Sequence, residues 1–177
     1  MKKKILLWTV LLLPYFGSYF LWQFHKIEIS KIANSSFIVI SKEELTLFLY
    51  NYKGKVLDKY PISCGKNMGN KKNIGDMKTP EGIFTVCDIQ KADHWTHDFG
   101  DGKGEIKGAF GPFFIRLLTP GHQGIGIHGT HDANTIGSRA TDGCIRMRND
   151  DLTKLIKKVK IGDVVVITPS KSDVNVE

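Results

Sequence analysis

His128 and Cys144, sixteen residues apart, are the pair in this 177-residue chain whose chemistry is most telling. They lie in the run GIHGTHDANTIGSRATDGCIR, residues 126–146. A thiolate is a strong nucleophile, and an imidazole within hydrogen-bond reach can take the thiol proton and later return it to a leaving group. The parts are those of a thiol-based acyl transfer.

The neighbours of each residue fit that role. Gly129 follows His128, and a carbonyl with no side chain beside it can be approached closely by the imidazole. One ring nitrogen is then fixed as donor and the other faces the thiol. Gly143 precedes Cys144 and permits a tight turn that exposes the sulfur. In such a turn the backbone N–H groups of Gly143 and Cys144 point into one space, as an oxyanion requires. Arg146 falls on the same face of an extended chain as Cys144, where it can hold a substrate carboxylate. A surface salt bridge is its alternative role.

These residues need a scaffold. From Phe37 onward the chain is a series of short runs rich in Val, Ile, Phe and Thr: FIVIS, LTLFLY, VLDKYPIS, GIFTVCDI, FFIRLL, GIGIH and VVVITP. Turn-forming Gly, Asn, Asp and Pro separate them, so the body is read as mainly β. One helix is signposted: Asn149 caps it, Asp150 and Asp151 suit its positive end, and Leu152, Leu155, Ile156 and Val159 make one apolar face. Residues 90–112 form a long glycine-rich loop whose Trp95, Phe99 and Phe110 argue against plain disorder. It is read as bordering a substrate site, with a surface elaboration as the alternative.

Lys2, Lys3 and Lys4 precede a mostly apolar stretch, residues 5–24, long enough to cross a bilayer. The expected organisation is a signal anchor over 1–25, a juxtamembrane linker over 26–35, a catalytic domain over 36–168 and a polar, frayed tail over 169–177. A cleaved export signal is the alternative; either way the body works outside the cytoplasmic membrane. The net charge of +7 is scattered and lacks an interleaved aromatic stripe, which argues against a nucleic-acid partner. Of the three cysteines, Cys64 and Cys87 lie in strand-like runs flanking one loop, so a disulfide and two free thiols are both open, and Cys144 is left over.

The combination IHGT, then IG, then GCIRM resembles the YkuD-type L,D-transpeptidase catalytic domain of bacterial cell-wall enzymes. KTPEG (78–82), GAFGPFFIRL (108–117) and IGDVVVI (161–167) add to the likeness, which covers residues 36–168. The resemblance implies a single mixed β-sandwich-like catalytic domain with one or two short helices and no metal or organic cofactor. It implies that Cys144 attacks a peptidoglycan tetrapeptide stem, releases the terminal D-alanine and forms a thioester, which an amine acceptor resolves to give a 3-3 cross-link or a related attachment. His128 is then the general base, Gly129 its orienting partner, Gly143 and Cys144 the oxyanion donors, and Arg146, Thr141, Trp95 and Phe110 the substrate contacts. Many members have Ser-His-Gly-Cys at the nucleophile, whereas this chain has Thr141-Asp142-Gly143-Cys144. Asp142 facing the sulfur would raise the thiol pKa, so it is expected to turn away or to pair with a nearby cation such as Arg139.

Three other readings stay open: hydrolysis of the stem by the same thiol, a zinc-dependent wall peptidase built on histidines such as His94 and His97, and a membrane-anchored wall-binding module without catalysis. Oligomeric state is not legible in the sequence.

Overall fold

A computed structural model describes residues 17–26, 35–100, 102 and 104–174. The chain divides into two compact units, Met1–Ser35 and Ser36–Glu177, each taken by itself. In the first, residues 17–26 are helical (α1). The remainder of the expected 5–24 anchor, and most of the 26–35 linker, lie outside the described residues. No helix among the described residues is long and apolar enough to cross a membrane.

The second unit is built on strands β1 (Ser36–Ser41), β2 (Thr46–Asn51), β3 (Val56–Gly65), β4 (Gly82–Lys91), β7 (Phe113–Leu118), β8 (Gly126–His128), β10 (Ile145–Met147) and β11 (Val164–Thr168). They run in the order β10-β8-β7-β4-β11-β1-β2-β3, and β10 pairs again with β3. The sheet therefore closes into an eight-stranded mixed barrel, which corrects the sandwich-like expectation. β10 uses both edges, Arg146 lying opposite His128 on β8 and Ser63 on β3, so two separate layers do not form. β9 (Arg139–Thr141) adds to β3, and β5 (Thr96–Asp98) with β6 (Glu105–Lys107) makes a separate hairpin from the 90–112 loop.

Alternation along the strands fills the barrel: Ile38, Ile40, Leu47, Leu49, Ile62, Ile115, Ile127, Ile145, Met147, Val165 and Ile167 are all buried in one core. Helix α2 (Asn149–Leu155) contributes Leu152 and Leu155 to it. Asn149 does not cap that helix. Arg148 occupies the cap position, and the Asn149 amide instead holds Thr130, accepting from its N–H (2.8 Å) and donating to its carbonyl (3.0 Å). Cys64 is buried in the core and Cys87 is exposed on β4; both are free, because β3 and β4 are not neighbours in the barrel.

The polar tail is ordered through α3 (Lys171–Val174), and the reason is electrostatic. Asp173 is buried, and its carboxylate accepts from Gly69 N–H (2.6 Å), from the Ser170 N–H and hydroxyl, and from Arg139 (3.1 Å). It also lies 3.1 Å from the fully buried Lys42 ammonium, which Glu81 reaches at 2.5 Å. Two cations are thus balanced by two carboxylates, the condition under which charge tolerates burial.

The hydrogen bonds from Ser170, Gly69 and Lys42 outweigh burial and hold the Asp173 carboxyl well below the usual carboxylate range. Asp76 is held low in the same way by Lys71 and the N–H groups of Asn73, Lys72 and Lys78. A depressed folded-state pKa stabilises fully above the unfolded value of about 4 and is lost as pH falls below it. The urea midpoint should therefore fall between pH 5 and pH 2. Asp173→Asn, which leaves Lys42 and Arg139 undercompensated, should cost about 3 kcal/mol at pH 7 and flatten that acid dependence. A wild-type midpoint indifferent to pH over that range would contradict the account.

Candidate active site

His128 ends β8 and Cys144 immediately precedes β10; the parallel register sets His128 opposite Arg146, two residues past Cys144, so histidine and cysteine stand close together on neighbouring strands. Both line a cleft of about 250 Å³ shared with Lys71, Phe110, Thr141 and Arg146. The His128 ring is 3% exposed, stacked parallel on Phe114 (5.7 Å, 3°) and met edge-on by Phe110 (5.0 Å). Its Nδ1–H donates to Gly129 O at 2.6 Å, and since a carbonyl only accepts, Nε2 is left as the ring's acceptor. Gly129 has no room for a side chain, because a Cβ there would overlap Asn149 Oδ1 and crowd Gly111.

The cysteine sits on a turn clamped by two threonines. Thr141 Oγ1 donates to Cys144 O (2.6 Å) and accepts from Gly143 N–H (3.2 Å). Thr79 Oγ1 donates to Gly143 O (2.9 Å) and accepts from Gly65 N–H (2.8 Å). Gly143 has φ +135°, and a Cβ there would stand 2.7 Å from Lys78 O, so glycine is required twice over. The Cys144 thiol is turned to Gly124 O at 3.3 Å.

Arg146 is 5% exposed, donates from Nη1 to Thr135 Oγ1 (3.0 Å) and lies over the Phe99 ring (5.7 Å). Its Nε is buried without a partner, and no carboxylate pairs with it among the described residues.

Residues 35–167 match the family model of the YkuD L,D-transpeptidase catalytic domain. The chain belongs to that family. YkuD of Bacillus licheniformis, named as an L,D-transpeptidase, is 32% identical over 132 residues, covering 75% of this chain and 65% of its own. YqjB of Bacillus subtilis, named likewise, is 30% identical over 141 residues, 77% of this chain and 73% of its own. The chain thus spans about two thirds to three quarters of these relatives. Among solved structures, the catalytic domain of the Enterococcus faecium L,D-transpeptidase superposes with a TM-score of 0.56 at 21% identity, over 76% of this chain and 98% of that one. An L,D-transpeptidase from Mycobacterium tuberculosis gives 0.57 at 19%, over 76% and 57%. These structures share the fold.

Several placements in this YkuD-family domain differ from the sequence expectation. The Gly143 N–H is engaged by Thr141, which leaves Cys144 N–H, without an acceptor among the described residues, as the free donor at the turn. The Thr141 hydroxyl is occupied with that turn. Phe110 lines the cleft, whereas Trp95 packs behind it against Phe110 and Phe114 (5.9 and 5.6 Å). Asp142 pairs with Lys66 (2.9 Å), because Arg139 is taken by Asp173. His94 is exposed beside Asp93, and His97 packs against Phe99 and Phe110. No three metal-binding side chains converge among the described residues. Thr79 is the contributor that residue-type reasoning missed; its place in KTPEG, next to Pro80, was the available signal.

Desolvation pushes the Cys144 thiol up to about 11, with Asp142 adding to the rise against a hydrogen bond from the Gly126 backbone and the pull of Lys71 and Arg116. Burial drives the His128 imidazole down to about 3, assisted by the positive charge of Arg146 and opposed by the Gly129 bond. The resting pair is thus neutral thiol and neutral imidazole. Alkylation of Cys144 by iodoacetamide, mapped by peptide mass, should keep rising with pH well past 9. Asp142→Asn should move that profile to lower pH and Lys66→Ala to higher pH; a plateau near neutrality would mean a preformed thiolate.

Proposed function

We propose that this domain is an exported L,D-transpeptidase in which Cys144 acylates itself on a peptidoglycan tetrapeptide stem and passes the acyl group to an amine. The observation that carries the reading is the oriented imidazole: His128, its Nδ1–H spent on Gly129 O, shares a cleft with a thiol on a rigid, glycine-dependent turn. Family membership supplies the substrate class, and residues 5–24 supply the expected export signal or anchor.

In the first step the thiol leaves Gly124 O, Nε2 of His128 takes its proton, and sulfur attacks the carbonyl of the third stem residue. The oxyanion meets the Cys144 N–H. The C–N bond to the terminal D-alanine then breaks, its nitrogen takes the proton from His128, and D-alanine leaves a thioester on Cys144. An acceptor amine attacks the thioester, gives a proton to His128 and forms the new amide; the sulfur recovers that proton. Water in place of the amine gives the carboxypeptidase outcome by the same route.

Arg146 has a second role here. Its charge, which no contact ion pair offsets among the described residues, helps hold His128 down, so a substrate carboxylate on that guanidinium raises the histidine's basicity on binding. A base that strengthens only when substrate is seated keeps the thiol quiet otherwise. Ile74, 91% exposed on the cleft rim, and Phe99 offer apolar walls to the stem.

Incubation with a disaccharide tetrapeptide, followed by intact-mass spectrometry, should show loss of D-alanine and a thioester adduct on Cys144. Cys144→Ala and His128→Ala should abolish the adduct with folding preserved, and Thr141→Val, which frees both ends of the turn, should slow acylation by about 10²–10³-fold. Turnover retained by Cys144→Ala would end the thiol mechanism, and unchanged muropeptide with a reduced thiol would favour a wall-binding module.

A further inference from the structure

The barrel has two chemically different ends. The Ser41 end of β1 leads into Lys42, whose ammonium reaches Thr79 O (3.5 Å), and Thr79 holds the Cys144 turn; this is the cleft end. The Ser36 end is opposite, about 20 Å away along six extended residues. At the Ser36 end three segments meet. Ser36 pairs with Asn51, where the β2–β3 turn starts, and its hydroxyl lies 3.3 Å from Lys158 O and 3.2 Å from Asp163 Oδ2 on the loop before β11. Lys158 closes the group with an ion pair to Asp58 (2.6 Å).

Those segments, residues 51–59 and 157–164, carry six lysines and two aspartates. Asp163 is buried and Asp58 is already paired, while exposed Lys53, Lys55, Lys157 and Lys160 have no carboxylate partner among the described residues. Between them Tyr52, Leu57, Ile161 and Val164 stand 42%, 46%, 62% and 39% exposed. The exposure is built in. Asn51 Oδ1 accepts from both Lys53 and Lys55 N–H, and Lys160 and Asp163 bond each other's backbone, so both tips are rigid. Unpaired ammonium groups interleaved with apolar side chains on a fixed surface match the two layers of an anionic bilayer, phosphate above and acyl chain beneath.

We infer that the Ser36 end of the barrel docks on an anionic lipid surface and thereby points the catalytic cleft away from the membrane. This goes beyond the acyl-transfer reading and does not depend on it. Docked this way, the cleft stands on the order of 20 Å above the lipid.

The test is amine acetylation of the full chain on vesicles, read lysine by lysine by peptide mass. Phosphatidylglycerol vesicles should slow labelling of Lys53, Lys55, Lys157 and Lys160 at least fivefold relative to phosphatidylcholine vesicles, while exposed Lys72 at the cleft end keeps its rate. The full chain with Lys53→Glu, Lys55→Glu, Lys157→Glu and Lys160→Glu together should lose at least tenfold in apparent affinity for phosphatidylglycerol, with Cys144 alkylation unchanged. Equal labelling of both ends on anionic vesicles would overturn the proposal. So would protection of the four lysines by a soluble polyphosphate wall polymer but not by vesicles, which would make the occupant that polymer.

Discussion

The fold and the site both turn on the fact that β10, three residues long, is paired on both edges. Its parallel pairing with β8 places Arg146 beside His128, and its antiparallel pairing with β3 places the same residue beside Ser63. Without the first pairing nothing holds His128 beside the strand that follows Cys144, sixteen residues on; without the second the sheet has two open edges. One short strand therefore closes the core and sets Cys144 near His128. Cys144, immediately before this strand, inherits its rigidity.

A strand of three residues has little stability of its own, and the surrounding interactions show how it is held. Ile145 and Met147 are fully buried in the barrel, and Thr141 and Thr79 tie the preceding turn to β9 and to the 66–81 loop. That loop is in turn fixed by buried charges: Lys42 reaches Gly69 O and Thr79 O, and Asp173 takes the Gly69 N–H. A continuous chain of bonds runs from α3 to the Cys144 turn. The ordering of a polar C-terminal segment thus has its explanation at the other side of the loop, in cations that need a carboxylate.

What the sequence disclosed divides along the same physical line. Long strands with alternating or continuous apolar residues, such as 37–41, 46–51 and 113–118, were legible because burial imposes a period. His128 and Cys144 stood out because few residue types carry an imidazole or a thiol, and the structure brings the two into one cleft. Barrel closure was not, because β9 and β10 are too short to show a period and their partners lie far off in sequence. Asn149 looked like a helix cap because its type suits one, but the tertiary demand of Thr130 took its amide. Asp142 and Arg139 are only three positions apart, yet each found a distant partner, Lys66 and Asp173, that no local pattern announces.

The electrostatics of the cleft give the assembly a consistent logic. With burial holding the Cys144 thiol up and the His128 imidazole down, both groups rest neutral and the thiol is a weak nucleophile near neutral pH. Burial drives His128 down and Cys144 up, and Arg146, buried and without an ion-pair partner among the described residues, adds to the depression of His128. A carboxylate that neutralises the guanidinium acts on the histidine directly, and a polarised carbonyl at the sulfur gives the departing proton's charge somewhere to go. Activation is then part of binding. Under the proposed acyl transfer, a thiol that stays protonated until a carboxylate meets Arg146 is shielded from adventitious electrophiles between turnovers.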